Sequence, residues 1–474
     1  MAETMNVDVC VIGAGSGGLS VAAGASQMGA KTVLIERGAM GGDCLNTGCV
    51  PSKALLAAGH AAQTIRESAR FGVNGVSPTI DFEKVHAHVH SVIGAIAPND
   101  SVERFTGMGV HVIEAEGKFT GPREVVAGGT TVRAKRFVVA TGSRAGVPPI
   151  EGLNETPFLT NETIFERTAA PDHLVVIGGG PIGMEMAQAH RRLGARVTVL
   201  EMATILANDD PELVDILRTL LRAEGIDILE GVRVLKTGRK GNGITVTIEE
   251  DGKETTIEGS DLLVAAGRAP NVDGLDLEKA GVEYSRKGIT TDARLRSTNK
   301  RIYALGDVAG GPQFTHVAGY HAGIAIRNML FRLPAKVDYS AMPWVTYTAP
   351  ELAHVGLSEA AAREKGEEVT ILRWPFAEND RAQAERETDG LIKVVTNKKG
   401  RILGATILGA HAGELILPWV LAVGNGMKIG KMAGMIAPYP TLGEASKRAA
   451  GSYYMPKLFS ERTRWIVRFL LKFG

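Results

Sequence analysis

Short runs rich in Val and Ile alternate with longer stretches suited to helices, and the first forty positions set the pattern. Val7–Ile12 reads as a strand buried on both faces. Leu19–Gly29 suits a helix, and KTVLIE gives a second strand ending at Glu36. The same order returns at LVVIGGGPIGMEMA and ARVTVLE, the second copy ending at Glu201. Each copy predicts a parallel strand–helix–strand unit.

The turns between strand and helix carry the chemistry. Gly13, Gly15 and Gly18 form G-x-G-x-x-G, and Gly178, Gly180 and Gly183 form it again. The first glycine and the acid at the end of the second strand are 23 residues apart in both copies. Such glycines let backbone approach a pyrophosphate at a helix N-terminus, while Glu36 or Glu201 accepts from ribose hydroxyls. A lone glycine triad is weak evidence, but two in full strand–turn–helix–strand context imply two dinucleotides on one chain, a flavin and a nicotinamide. Glu201 favours NAD(H), because a carboxylate pairs with a free 2′-hydroxyl and repels a 2′-phosphate.

Composition narrows the class. At 474 residues, two or three domains are expected. A net charge of +1 gives no field for nucleic acid. Three cysteines rule out a secreted disulfide framework. No stretch approaches the roughly 20 apolar residues that span a bilayer, and the N-terminus lacks the cationic start of a signal peptide. A cytoplasmic protein is expected.

Two of those cysteines stand five positions apart in GGDCLNTGCVPSKAL, close after the first unit. Along a regular helix that spacing means roughly 7.5 Å of rise, whereas a disulfide needs Cα atoms within about 6.8 Å. Closure therefore requires a distorted turn, for which Gly48 is suited. A zinc site would need four ligands, and no second cysteine pair exists, so no metal site is assigned. Spacing alone leaves a redox pair and buried core thiols both open.

The wording of the segment carries further. It resembles the redox-active segment of the class I flavin-dependent pyridine nucleotide–disulfide oxidoreductases, which include lipoamide dehydrogenase, glutathione reductase and mercuric reductase. ATGSRAGVPPI, AAGRAPNVDGL, RIYALGDVAG, PELAHVGLSEAAA and ILGAHAGELI are similar to later segments of that family, in order. The resemblance implies an α/β fold with two doubly wound Rossmann-type domains and a C-terminal α+β dimerisation domain. An FAD domain would take residues 1–150 and 271–341, an NAD domain 151–270, and the dimerisation domain 342–474. It further implies Cys44 as the outer thiol that meets substrate and Cys49 as the inner thiolate beside the flavin. Lys53 would pair with Glu185, Asp307 would bind the ribityl chain, and Gly42, Gly142 and Gly267 would line the cofactors. Electrons would pass between NADH, FAD, the cysteine pair and a small disulfide, dithiol or lipoyl-bearing protein, in a homodimer most like lipoamide dehydrogenase.

Three places depart from the pattern. Asp43 stands where the family commonly has threonine, and a carboxylate there needs neutralising. Tyr439 occupies the position of the family's C-terminal acid–base histidine, although its partner Glu444 is present. Tyrosine, with a reference pKa of about 10, is a poor base at neutral pH. Mercuric reductase has a similar Pro-Tyr, which makes metal ions or small acceptors such as quinones an alternative. The chain lacks that enzyme's C-terminal vicinal cysteines. A flavin subunit serving a protein partner is a further alternative.

Other features read as structural. His86 and His90 fall on one helix face without a third ligand nearby in sequence, which suits a solvated face. Cys10 reads as core, and His411 as a loop residue before it is a substitute base. The tail from Ser452 mixes Trp465, Phe469 and Phe473 with Arg462, Arg464, Arg468 and Lys472. Packing on the body or on a partner subunit is favoured there over a membrane surface.

Overall fold

The computed structural model describes residues 4–473. Residues 1–3 and Gly474, the outer ends of the expected domains, lie outside them. The chain divides into two compact units, 1–202 with 229–337, and 203–228 with 338–474.

In the first unit, Thr4–Ile12 is the middle of a parallel layer, with Thr32–Glu36 on one side and Thr130–Val139 on the other. Val110–Glu114 extends it beyond Thr32–Glu36. The long strand Thr130–Val139 pairs with an antiparallel hairpin through its first half and with Ile302–Ala304 through its second. Chain from beyond residue 300 thus returns to the sheet that the N-terminus began. Cys10, Val33, Phe119 and Phe137 are fully buried on one face of this sheet, and Val9, Leu34 and Val138 on the other. Burial on both faces is what continuous apolar strands demand.

The second Rossmann layer of this unit has Arg196–Glu201, His173–Ile177 and Asp261–Val264 in parallel. An antiparallel meander, Arg233–Lys240, Gly243–Glu250 and Lys253–Gly259, closes over it through Ile244, Val246 and Ile248. Its helix Pro181–Arg192 starts at the second glycine turn.

In the second unit, five antiparallel strands run in the order Pro343–Thr346, Glu351–Gly356, Ile402–Gly409, Leu391–Asn397 and Val369–Pro375. Trp419 is fully buried in the core that the helices Leu417–Gly424 and Glu444–Ser452 make with this sheet, its indole donating to Ser446 at 3.1 Å. Lys393, buried on the sheet, meets Asp210 at 2.8 Å, Glu212 at 2.9 Å and Glu359 at 3.3 Å. The tail helix Glu461–Leu470 buries no side chain, and its aromatic row packs on itself, Trp465 stacked on Phe469.

Candidate active site

The two glycine turns have closely similar geometry. Gly13 and Gly178 adopt φ of +103° and +111°, and a Cβ on either would strike the carbonyl of Ala140 or Ala265. A Cβ on Gly18 would lie 1.8 Å from the Gly13 oxygen, and one on Gly183 would lie 2.0 Å from the Gly178 oxygen. These third glycines let helix press on strand. Before Gly180 the space is open, and a Cβ on Gly15 would meet only the Gly42 Cα at 4.0 Å, which leaves room for a pyrophosphate to reach backbone. Glu36 accepts from the Ala14 amide at 2.6 Å, and Glu201 from the Gly179 amide at 2.7 Å. Each acid therefore stands beside its own turn, and both cradles fit a dinucleotide.

The cysteine segment is tied to the first cradle. The Gly41 amide donates to the Ala14 carbonyl at 3.0 Å, and a Cβ on Gly42 would strike Gly15. Cys44 lies in the short helix Gly42–Asn46, and Cys49 opens the helix Cys49–Glu67. Gly48 breaks the chain between them, with φ −130° and ψ −112°. That break is the distortion the spacing requires. Both cysteines are free thiols; Cys44 is half-buried, and Cys49, an exposed residue, has its sulfur turned against Thr315 and partly shielded from water.

Electrostatics divides the pair. A hydrogen bond from Cys44 pulls the Cys49 thiol down to about 6 against burial, with help from the Thr315 hydroxyl at 3.3 Å and the Lys53 charge. Cys49 also heads a helix of 19 residues, whose N-terminus favours an anion. The same bond, with burial, raises Cys44 well above the ordinary thiol range. The pair is thus polarised, Cys49 toward the thiolate and Cys44 toward the thiol.

Lys53 is one turn along from Cys49, and its ammonium meets Glu185 at 2.7 Å. Glu185 is buried in the helix that leaves the second glycine turn, so this pair joins the two nucleotide motifs. Arg268 answers the question raised by Asp43. Its guanidinium lies 3.1 Å from the Asp43 carboxylate and 3.7 Å from that of Asp307, and donates to Ser143 at 2.7 Å. Asp43 also accepts from Thr47 at 2.9 Å and Asn161 at 3.0 Å. Asp307 accepts from the Ser143 hydroxyl, and burial raises its pKa. Gly142 and Gly267 adopt φ of +67° and +123° with open space before them.

Tyr439 and Glu444 belong to the second unit. The Tyr439 hydroxyl donates to Asp380 at 2.9 Å, and that bond raises its pKa further from neutrality. Glu444 pairs with Arg448 at 2.9 Å. His411 has φ +57° and its carbonyl accepts from Glu414 and Leu415, a turn position. The sequence does not mark Thr315, Arg268, Ser143 or Asn161. Arg268 lies in AAGRAPNVDGL and Ser143 in ATGSRAGVPPI, the nearest thing to a signal for any of them.

Two dinucleotide cradles meeting at a polarised thiol pair define a flavoprotein of the disulfide-reductase class. Comparison with known proteins agrees. The pyridine nucleotide–disulphide oxidoreductase family model matches residues 7–322, and the dimerisation domain of that family matches residues 342–450. Mercuric reductase of Bacillus cereus is 37% identical over 445 residues, 93% of this chain and 70% of that protein. Dihydrolipoyl dehydrogenase of Bacillus subtilis is 36% identical over 460 residues, 94% of this chain and 96% of that one. Among solved structures, LpdA of Mycobacterium tuberculosis superposes with TM-score 0.86 at 27% identity, covering 94% of this chain and 100% of that one. The HOCl-induced flavoprotein disulfide reductase RclA of Escherichia coli gives TM-score 0.84 at 27% identity, covering 94% and 99%. The chain belongs to the pyridine nucleotide–disulphide oxidoreductase family and is an FAD- and NAD-dependent disulfide oxidoreductase. No helix of the described residues is long and apolar enough to cross a membrane.

Proposed function

We propose that the protein passes electrons between NAD(H) and a dithiol/disulfide substrate through a Cys44–Cys49 couple, as a cytoplasmic homodimer: from NADH to a disulfide in one direction, from a dithiol to NAD in the other. One observation carries the reading: two free thiols, Cys44 and Cys49, flank the break at Gly48 in the segment tied to the first glycine cradle, with the Thr315 hydroxyl 3.3 Å from the Cys49 sulfur. FAD, when bound, supplies two-electron exchange between the nicotinamide and the sulfur pair. Cys49 holds its charge at the head of its helix, beside Thr315 and the Lys53 ammonium. Glu185 positions that ammonium and balances it. Cys44 becomes the nucleophile on a disulfide acceptor as its proton passes to Cys49; Cys49 then displaces the bound sulfur to form the Cys44–Cys49 disulfide, and the acceptor leaves as one thiol and one thiolate. Glu201 supports NADH over NADPH; of the nearby cations Arg191, Arg192 and Arg196, the last lies 2.7 Å from His173. The dimerisation-domain match supports the homodimer.

Tyr439 favours a second reading of the acceptor. A phenol bound to Asp380 is no proton relay at neutral pH, which suits metal ions or quinone-like acceptors better than lipoamide. The test is NADH oxidation with lipoamide, glutathione disulfide, mercuric ion and a soluble quinone, in wild-type and Cys44→Ser protein. Turnover of a disulfide that vanishes in Cys44→Ser supports the first reading. Turnover of quinone alone, unchanged in Cys44→Ser, removes the cysteine couple from the reaction.

A further inference from the structure

The histidines of VHAHVH are not the bare helix face that their sequence suggests. His86 and His90 sit one turn apart on the helix Phe82–Ile96, their ring centroids 4.1 Å apart. That spacing lets two imidazoles share one cation, but a third ligand is missing nearby in sequence. The fold brings one. Glu166 ends the turn Ile164–Glu166, which Ile164 and Phe165 anchor by their burial. One donor atom from each of His86, His90 and Glu166 falls within 4.8 Å of the other two. His90 Nε2 is shut off from water without a hydrogen-bond partner, and the Glu166 carboxylate is 3.7 Å away, beyond hydrogen-bonding range. An unsatisfied ring nitrogen facing a carboxylate is a cost that a cation between them would remove.

We propose that His86, His90 and Glu166 bind one divalent transition-metal ion of the zinc class, with water completing its coordination. Two imidazoles and a carboxylate suit zinc, copper or nickel, whereas magnesium and calcium prefer all-oxygen sites. Zinc–ligand bonds of about 2.0–2.1 Å place tetrahedral donors about 3.4 Å apart. The observed spread closes by side-chain rotation of about 1 Å, within reach of two half-buried histidines and an exposed glutamate. The ion joins two elements that both touch the cysteine segment. Helix Phe82–Ile96 packs on the helix Cys49–Glu67. The strand-to-turn stretch before Glu166 carries Asn161, which holds Asp43 and the Thr47 carbonyl. Its role is therefore a clip outside the redox pair, and its expected effect is thermal stabilisation.

The test uses FAD-loaded Cys44→Ser/Cys49→Ser protein, so that the thiols do not compete for metal. Calorimetric titration with zinc chloride should show one zinc ion per chain and raise the melting temperature. With cupric ion, the electron paramagnetic resonance spectrum should show nitrogen hyperfine structure. Loss of outer-shell partners weakens metal sites by about 10–100-fold, so loss of direct ligands should cost at least about 100-fold. Adding His86→Gln with His90→Gln should produce that loss and erase the nitrogen pattern while flavin content stays constant. Glu166→Gln should weaken zinc at least about tenfold. Equal zinc affinity with and without the histidines overturns the proposal. So does a Cys44→Ser/Cys49→Ser protein that binds no zinc.

Discussion

Replacing Cys44 with alanine should cost Cys49 its charge. Cys49 sits at about 6, against an ordinary thiol value of 9.0, and the hydrogen bond from Cys44 is the largest cause. At pH 7 a thiol with that value is about nine-tenths thiolate, whereas one at the ordinary value is about one-hundredth. Burial, the next largest influence, pushes upward and survives the substitution. Thr315 and Lys53 still pull downward, but without Cys44 they work against burial and against the Asp43 charge. The Cys44→Ala midpoint should therefore rise by well over one unit, leaving a minority of thiolate at pH 7. A thiolate against oxidised flavin gives a long-wavelength absorbance band, so a pH titration of that band reads the midpoint directly. Wild-type protein reduced by two electrons should lose the band around pH 6, and oxidised Cys44→Ala protein should lose it at a markedly higher pH. Equal midpoints in the two proteins would refute the shared-proton account, as would a wild-type midpoint above pH 8.

The glycine turns predict separable losses: Gly18→Ala should purify with little flavin absorbance, whereas Gly183→Ala should keep its flavin and lose reduction by NADH, because each added methyl strikes a carbonyl in only one cradle. Tyr439→His should raise lipoamide turnover severalfold in steady-state assays if missing acid–base chemistry limits it; no gain means the pocket serves another acceptor. Lys393→Met leaves Asp210 buried and charged, and chemical denaturation should show a loss of about 3–5 kcal/mol. Glu212 is held down to about 2, first by its hydrogen bond from Arg373 against burial, then by Lys393. A carboxyl with a depressed folded value adds stability that is full above its unfolded value of about 4.5 and is lost as pH falls toward 2. Glu212→Gln should flatten the fall in stability over that window, and an unchanged acid-unfolding profile would count against the pairing.

Features set by local backbone were legible in the sequence. The glycine turns show themselves because three residues within six positions dictate the whole geometry, and the acids that close them sit at a constant spacing. The broken helix between Cys44 and Cys49 follows from the same kind of reasoning, since only a distorted turn brings thiols five apart together. What could not be read is whatever depends on segments distant in sequence meeting. Thr315 stands 266 residues from Cys49 in the chain. Arg268 reaches Asp43 from the strand Arg268–Pro270, which pairs with Ser143–Ala145 and stands more than 200 residues from the cysteine segment. Glu166 likewise completes the histidine pair from a distant segment, and nothing within VHAHVH announces it. A single sequence holds no record of such pairings, so a solvated face was the natural reading for those histidines.

The charge arrangement around Asp43 shows why this residue is tolerable where the sequence made it look misplaced. A carboxylate near Cys49 opposes the thiolate, and its influence on both cysteines is indeed upward. Yet the Arg268 guanidinium lies beside it, with Thr47 and Asn161 taking one of its oxygens as acceptor. Those bonds hold the loop that sets the distance between the two sulfurs, which is the quantity the Cys44 to Cys49 hydrogen bond depends on. A threonine in place of Asp43 would remove the opposing charge but also leave Arg268 with Asp307 as its one carboxylate partner and Asn161 with only the Thr47 carbonyl. The thiolate therefore rests on a compromise: a modest electrostatic penalty accepted at Asp43 in return for a loop fixed tightly enough to share one proton between two thiols.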